Sequence, residues 1–352
     1  MKANFALTLV FLSVFSTTFA QNAVLHITLA NSQGSNCTVS IPSQPKDGYF
    51  ALPLNDGGRA TCNFKLIRPE FVNISFQNPE DKKSTLIAYL LYVSPGDNLV
   101  MTADMKKSGT EITLSGKGSN NNQPQLSAID DSYIYSFFND TLPFRVIKAL
   151  NESQKVQLDN LDKYIKLYSP SMTFINDWKM SLRYYTADLF YIFKEQNKHF
   201  IGKAYTRNSS KWQKITDSLL GVAKLDNDAA LGVFHYDRYL NNFLILEKQR
   251  LFAEASTHPE AFYHEWYNAD TVLGKKRLIS DPKNLLNEKI INRYFSGKTA
   301  EYMYAVLFAN AAFENNPKNI PGIFGRFTAQ YPDSKFINQF SPMIDMIVAK
   351  RE

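Results

Sequence analysis

The segment Gly116-Lys117-Gly118-Ser119-Asn120-Asn121-Asn122-Gln123-Pro124-Gln125 decides how this chain is organised, because it contains no large apolar side chain. A run of this kind has nothing to bury and predicts a loop or linker. The hydrophobic pattern also changes across it, from short alternating runs before the segment to a helical period after it. We therefore expect one structural unit over residues 21–118 and another over residues 119–352.

The unit before this segment has the pattern of short β-strands. Side chains alternate with period two between Val24 and Leu29, and Asp47-Gly48 and Asp56-Gly57 supply hairpin turns because glycine accepts a positive φ. Many short strands separated by regular turn signals predict an antiparallel β-sandwich. The other expected strands are Thr38–Ile41, Tyr49–Leu54, Ala60–Ile67, Phe71–Phe76, Leu86–Val93, Leu99–Ala103 and Glu111–Leu114.

The unit after the segment has a helical period, in which apolar residues such as Trp178, Leu182, Tyr185 and Leu189 recur three and four positions apart. Prolines punctuate the pattern where a helix starts, since a helix tolerates proline only in its first turn. Helices are expected near residues 124–138, 143–168, 171–197, 210–223, 234–256, 259–274, 282–296, 299–314, 318–331 and 336–349.

The expected fold class is therefore α+β and multidomain, with an N-terminal antiparallel β-sandwich followed by an all-α domain. The last helices, from Ala300 onwards, are short and joined by proline turns, which indicates helical hairpins. No clean repeat of about 34 residues accompanies them, so a solenoid-like stack and an ordinary helical domain both stay open.

Residues 1–20 have the layout of a secretory signal peptide. Lys2 gives a positive start, Phe5–Phe15 is a compact apolar stretch, and Thr18-Phe19-Ala20 supplies small residues for cleavage before Gln21. A membrane anchor is the alternative, but the apolar run is shorter than the ~20 residues that a span needs. We expect a periplasmic protein without an integral membrane span, and leave association with the cell envelope open.

The charge pattern excludes some partners. The net charge of +6 is modest for 352 residues and is not gathered into a basic run, so no nucleic acid is expected to bind. Aromatic residues make up 14% of the chain, and they suit either helix packing, which is the commoner use, or a groove for a carbohydrate or a peptide.

The two cysteines, Cys37 and Cys62, both fall in the β unit. An oxidising compartment allows them to form one structural disulfide, but sequence alone does not show whether their backbones come close enough. A redox-active pair is usually a C-x-x-C at a helix start, and these two residues do not match it. A bridge and two free thiols both stay open.

No catalytic, cofactor-binding or metal-binding residues are expected. His264-Glu265 lacks the second histidine of H-E-x-x-H, since Asn268 stands in its place. Two acidic pairs, Asp130-Asp131 and Asp226 with Asp228, are more typical of a solvated surface or a helix start. A hydrolase would need two carboxylates converging in a deep pocket.

Two stretches carry a family likeness. The first runs from Leu90 to Met101 around the turn Pro95-Gly96-Asp97, and the second is the turn Tyr331-Pro332-Asp333-Ser334 before the last helix. In this order they resemble the N-terminal region of exported TlpA-like thiol–disulfide oxidoreductases of Bacteroidetes-type bacteria. In that family a β domain and a helical region precede a thioredoxin domain with a Trp-Cys-x-x-Cys motif.

The resemblance implies no catalytic residue here, because Trp178, Trp212 and Trp266 have no cysteine nearby. We therefore expect an exported, non-catalytic binding or adaptor module with a protein or peptide partner, for which a thioredoxin-like protein is one candidate. The alternative is a truncated or split oxidoreductase whose thioredoxin domain is lost or encoded separately.

Overall fold

The computed structural model describes residues 21–32, 35–45, 48–77, 87–104, 112–123 and 142–349. Within these ranges the chain forms eight β-strands, followed by ten α-helices that begin at residue 143. The expected α+β class, with strands before helices, is confirmed. The expected signal segment at residues 1–20 and the expected helix near residues 124–138 lie outside the described residues.

The strands form two four-stranded sheets, one in the order β4-β1-β7-β8 and one in the order β3-β2-β5-β6. Sheet A denotes the first and sheet B the second. The strands are β1 Gln21–Ala30, β2 Asn36–Ser40, β3 Tyr49–Leu52, β4 Arg59–Leu66, β5 Glu70–Gln77, β6 Ile87–Val93, β7 Asn98–Asp104 and β8 Thr113–Lys117.

One strand pair corrects the expectation of a purely antiparallel arrangement. Strand β1 is antiparallel to β4 but parallel to β7, with Val24 opposite Asn98 and Ala30 opposite Asp104. Parallel neighbours need a long crossover connection. The chain provides one by passing through sheet B between β1 and β4 and again between β4 and β7.

Side chains from both sheets share one hydrophobic core. Alternate residues of β1, such as Leu25 and Ile27, are buried in the same cluster as Val39 of β2 and Ile74 of β5. This period of two is what a strand produces when one of its faces is buried.

Sheet B is also covered on its other face at β5 and β6. Phe71 of β5 and Tyr92 of β6 belong to the hydrophobic core of the helices, although their neighbours in sequence face sheet A. The Phe71 ring lies 5.6 Å from Trp178 and the Tyr92 ring lies 5.2 Å from Phe174. Burial on both faces explains why β6 reads as a continuous apolar run.

The ten helices of the described residues are α1 Pro143–Tyr168, α2 Met172–Ile201, α3 Lys203–Val222, α4 Phe234–Thr257, α5 Pro259–Tyr267, α6 Thr271–Ser280, α7 Asn284–Tyr294, α8 Gly297–Phe313, α9 Ile320–Gln330 and α10 Lys335–Ala349. None of them is long and apolar enough to cross a membrane.

The prediction of a single helix at 259–274 is wrong, because the chain forms two helices there, α5 and α6. Asn268 adopts a left-handed conformation with φ 44°, which ends α5. Asp270 then caps α6, since its side chain accepts a hydrogen bond from the Leu273 N–H.

The polar segment that divides the chain is not a free linker in its described part. Its first residues, Gly116 and Lys117, end β8. Asn122 is buried, and its side chain accepts from the Tyr92 N–H at 2.7 Å and donates to the Tyr92 carbonyl at 2.8 Å. Asn121 accepts from the Ser171 N–H of the helical unit at 2.8 Å. These bonds hold the two units together.

Candidate functional site

A cleft lies where the β unit meets the helical unit. It has a volume of about 340 Å³ and is bounded by the connection after β2, by α4 and by α8. The Tyr302 hydroxyl donates to the Pro42 carbonyl at 3.0 Å, which joins the two units at this place. The lining residues are Ser40, Pro42, Pro45, Phe234, Asp237, Arg238, Asn241, Tyr302, Val306, Ala309 and Asn310.

Asp237 is the buried acid of this cleft. It lies in the first turn of α4, and its side chain is almost fully buried. Its Oδ1 accepts from the Gly232 N–H at 3.2 Å, while its Oδ2 is buried with no hydrogen-bond partner among the described residues. A buried oxygen without a partner is rare in a native fold, because it has lost its water and gained nothing in return.

The surroundings of Asp237 favour its neutral form. Its pKa is raised to about 7, mainly by burial and to a smaller extent by the nearby carboxylate of Glu70, while the Gly232 N–H and the Arg68 guanidinium oppose the shift. Asp237 is therefore poised between its neutral and charged forms near neutral pH.

A second buried acid, Glu70, lies behind the cleft on the β side. It accepts a hydrogen bond from the Ser43 hydroxyl, and its Oε1 lies 4.0 Å from the Arg68 Nε. Burial raises its pKa, while Ser43 and Arg68 lower it. Arg68 also donates to the Leu231 carbonyl at 2.8 Å, so this group ties the β4–β5 turn to the start of α4.

A third acid, Asp188 of α2, holds the arginine of the cleft. It is fully buried, and its Oδ2 lies 2.7 Å from the Arg238 Nε and 2.8 Å from the His235 Nδ1. Asn242 donates to its other oxygen at 3.0 Å. The Arg238 guanidinium thereby stays over the Phe234 ring, 4.9 Å from its centre, at the edge of the cleft.

The two cysteines singled out in the sequence lie elsewhere. Cys37 on β2 and Cys62 on β4 belong to different sheets, and both are buried free thiols. Burial raises the pKa of Cys37 to about 12 and that of Cys62 to about 11, and Cys62 also raises the pKa of Cys37. The two thiols are thus close enough to interact, and their bridge stays a prediction.

Asp226 and Asp228 bind backbone N–H groups at a helix start, as their pattern indicated. That helix lies far from them along the chain. Asp226 accepts from the Ser296 N–H at 2.8 Å and Asp228 accepts from the Thr299 N–H at 2.9 Å, both at the start of α8. The other pair, Asp130-Asp131, lies outside the described residues. Among the residues that the structure describes, no group of three or more His, Cys, Asp or Glu could hold a metal ion.

Sequence reasoning missed Asp237. A signal for it exists, because Asp237 stands within a run of buried residues that includes His235, Tyr236 and Tyr239. An acid on the buried side of an apolar helix is unusual and indicates either a structural partner or a site.

No protein-family model matches the chain, and no curated protein matches it at a significant level.

Proposed function

We propose that this chain is an exported, non-catalytic binding or adaptor module that receives a protein or peptide partner in the cleft between its two units. The observation that carries the proposal is Asp237, which lines an open cleft of about 340 Å³ and has a buried Oδ2 without a partner among the described residues. Ligand sites typically combine apolar walls with a few polar groups of this kind.

The layout of the cleft suits binding better than hydrolysis. Asp237 is the one acid among the described lining residues, whereas Glu70 lies behind the wall and is engaged by Ser43. Hydrolysis of a glycosidic bond would need two carboxylates facing the same space. The walls instead offer aromatic and amide groups, namely Phe234, Tyr302 and Asn241.

The finer architecture that we propose is a β-sandwich followed by stacked helical hairpins. In support, the two sheets share one hydrophobic core. At the other end of the chain, the Phe308 ring of α8 lies 5.4 Å from Phe324 of α9 and 5.5 Å from Phe340 of α10.

The kinship with TlpA-like oxidoreductases is also part of the proposal. The turn Pro95-Gly96-Asp97 joins β6 to β7, where the Asp97 side chain accepts from the Ser94 N–H at 2.8 Å. The turn ending at Ser334 joins α9 to α10.

Binding in the cleft is tested with a peptide pool and a matched pair of variants. Ala309 lines the cleft near the end of α8, while Ala312 is exposed on the same helix and is not part of the lining. We expect a casein tryptic digest to raise the unfolding temperature of the wild type and of Ala312→Trp, but not of Ala309→Trp. Equal responses of the two variants would place the binding elsewhere, and no response of the wild type would count against the proposal.

A thiol–disulfide enzyme is tested by insulin reduction. We expect the purified mature chain to show no dithiol-dependent turnover, because burial keeps both of its thiols protonated. Turnover that disappears in Cys37→Ser would overturn the non-catalytic assignment.

The split oxidoreductase is the second candidate, favoured by the position of the Tyr331–Ser334 turn directly before α10. It predicts an adjacent reading frame that encodes Trp-Cys-x-x-Cys, and a thioredoxin-like product that binds this chain. Sequencing of the flanking DNA decides between this candidate and a self-contained adaptor.

A further inference from the structure

Two of the three buried acids around the cleft have a cationic partner, and the third has none among the described residues. Asp188 has Arg238 at 2.7 Å, and Glu70 has Arg68 at 4.0 Å and the Ser43 hydroxyl. Asp237 forms no ion pair within 4.0 Å among the described residues, and only the Gly232 N–H engages its carboxylate. The group that is missing from this site is therefore a hydrogen-bond donor, and a positively charged donor would also balance the carboxylate.

The hydrogen bonding of the Asp237 carboxylate favours a compact cation as the donor. A guanidinium binds best to two carboxylate oxygens at once, but one oxygen of Asp237 is already used by Gly232. An ammonium group is a point charge with three donors, which suits a single free oxygen. The amide oxygens of Asn241 and Asn310, which line the same cleft, are of the type that accepts the remaining donors.

The walls beside Asp237 suit the carbon chain of such a ligand. Phe234, Val306 and Pro42 line the cleft and offer apolar surface. An anion is disfavoured, because it would lie beside Asp237 while the Arg238 guanidinium is already engaged by Asp188. A straight alkyl chain ending in an ammonium group therefore matches both the walls and the buried oxygen.

We propose that the cleft binds an aliphatic primary ammonium group whose N–H donates to the Asp237 Oδ2. This inference deepens the proposed binding function and rests on it. The group can come from a lysine side chain of a peptide partner or from a free alkylamine, which present the same chemistry.

Binding is expected to depend on pH through Asp237. Arg68 and Glu70 from the β unit act on its charge, and its charge in turn acts on Tyr302 from α8. Arg238 from α4 itself lines the same cleft. Because the pKa of Asp237 in the free protein is raised to about 7, an ammonium ligand must displace a proton below that pH. Affinity should then fall by about tenfold for each pH unit below 7.

The direct test is calorimetry with n-butylamine, n-butanol and butyrate on the mature protein at pH 8. We expect only n-butylamine to bind, and to bind about 10–100-fold more weakly to Asp237→Asn, which keeps the size of the side chain but loses its charge. Asp162→Asn, on the exposed side of α1, is the charge-matched control and should bind as the wild type does. Unchanged affinity of Asp237→Asn, or equal binding of n-butanol, would overturn the inference.

A second experiment distinguishes a peptide lysine from a free alkylamine as the source of the ammonium group. It also distinguishes failure of the ammonium inference from failure of the proposed binding function. A peptide pool acetylated at its lysines and N-termini should lose its effect on the wild type, while the untreated pool keeps it. If both pools act equally and Ala309→Trp blocks both, the binding function stands and the ammonium inference fails. If no pool acts but n-butylamine binds in an Asp237-dependent way, the ligand is a free amine and the peptide-binding function fails.

Discussion

The core between the two sheets and the junction between the two units both bury titratable groups, but with different consequences. In the sheet core, burial raises the pKa of Cys37 to about 12 and that of Cys62 to about 11, so both thiols are neutral and need no partner. At the junction, burial raises the pKa of Asp237 only to about 7, so that carboxyl is partly charged at neutral pH.

This difference follows from the usual pKa values of the groups. A thiol is already neutral at pH 7, and loss of water only strengthens that preference. A carboxyl starts far below neutral pH, so the same loss of water leaves it with an incompletely compensated charge. The thiols of the sheet core therefore need no compensating partner, whereas the carboxyl at the junction is where the ligand that we propose would compensate a buried charge.

The largest expected effect tests whether side chains are tightly packed at the junction between the two units. Trp178 is buried between Phe71 and Phe174, at ring distances of 5.6 Å from each. Trp178→Ala should lower the free energy of unfolding by about 3–5 kcal/mol, through lost burial and the cavity left behind. Urea unfolding measures this, with Val222→Ala on an exposed site of α3 as the control, for which a change of about 0.5 kcal/mol or less is expected. A loss of similar size in the control would contradict the assignment of a packed junction.

Asp237→Asn directly tests the buried charge of the Asp237 carboxyl at the junction. The pKa of Asp237 is raised in the folded protein, so the protonated form favours folding below about pH 4 and this advantage is lost as pH rises through about 7. The variant should therefore gain stability relative to the wild type between pH 4 and pH 8, by up to about 4 kcal/mol.

Thermal unfolding of both proteins across this pH range measures that gain. The pH dependence is the informative quantity, because Asn also changes the hydrogen bonding at a fixed pH. Parallel pH curves for the two proteins would show that Asp237 is not perturbed. Asp162→Asn again serves as the exposed control and should follow the wild-type curve.

Tyr302→Phe tests the hydrogen bond that joins the units beside the cleft. The variant removes the donor to the partly buried Pro42 carbonyl. A loss of about 1 kcal/mol is expected. Tyr49→Phe, at a residue that is 65% exposed on β3, should leave stability unchanged, so equal losses in both variants would argue against a specific role for the bond.

The smallest effect concerns the sheet core and involves no change in stability. In the reduced protein, Cys37 and Cys62 should react with iodoacetamide at pH 8 at least about 100-fold more slowly in the folded than in the unfolded state, because burial suppresses the thiolate. Similar rates would contradict the burial.

If protein prepared without reductant shows no thiol even after unfolding, Cys37 and Cys62 are bridged, and two titratable thiols would refute the bridge.

Much of the secondary structure was predictable because its signals are local. The strands around Ile27 and Ile74 and the helix containing Trp178 occur where the period of two or the helical period indicated them. The break at Asn268 was missed, since a left-handed residue inside an otherwise helical pattern has only a weak sequence signal. The candidate site was missed for a different reason, namely that its parts are far apart in the chain.

The sequence by itself determined that the strands precede the helices, because each element depends on neighbouring side chains. Only the tertiary structure decided that β1 pairs in parallel with β7, that β5 and β6 of sheet B are covered on both faces, and that Asp237 loses its water between α4, α8 and the residues near Pro42. The physical reason is that desolvation and pairing depend on which distant segments meet. Burial mainly sets the charge that Asp237 can carry, and Arg68 and Glu70, which lie more than 160 residues earlier in the chain, modify it.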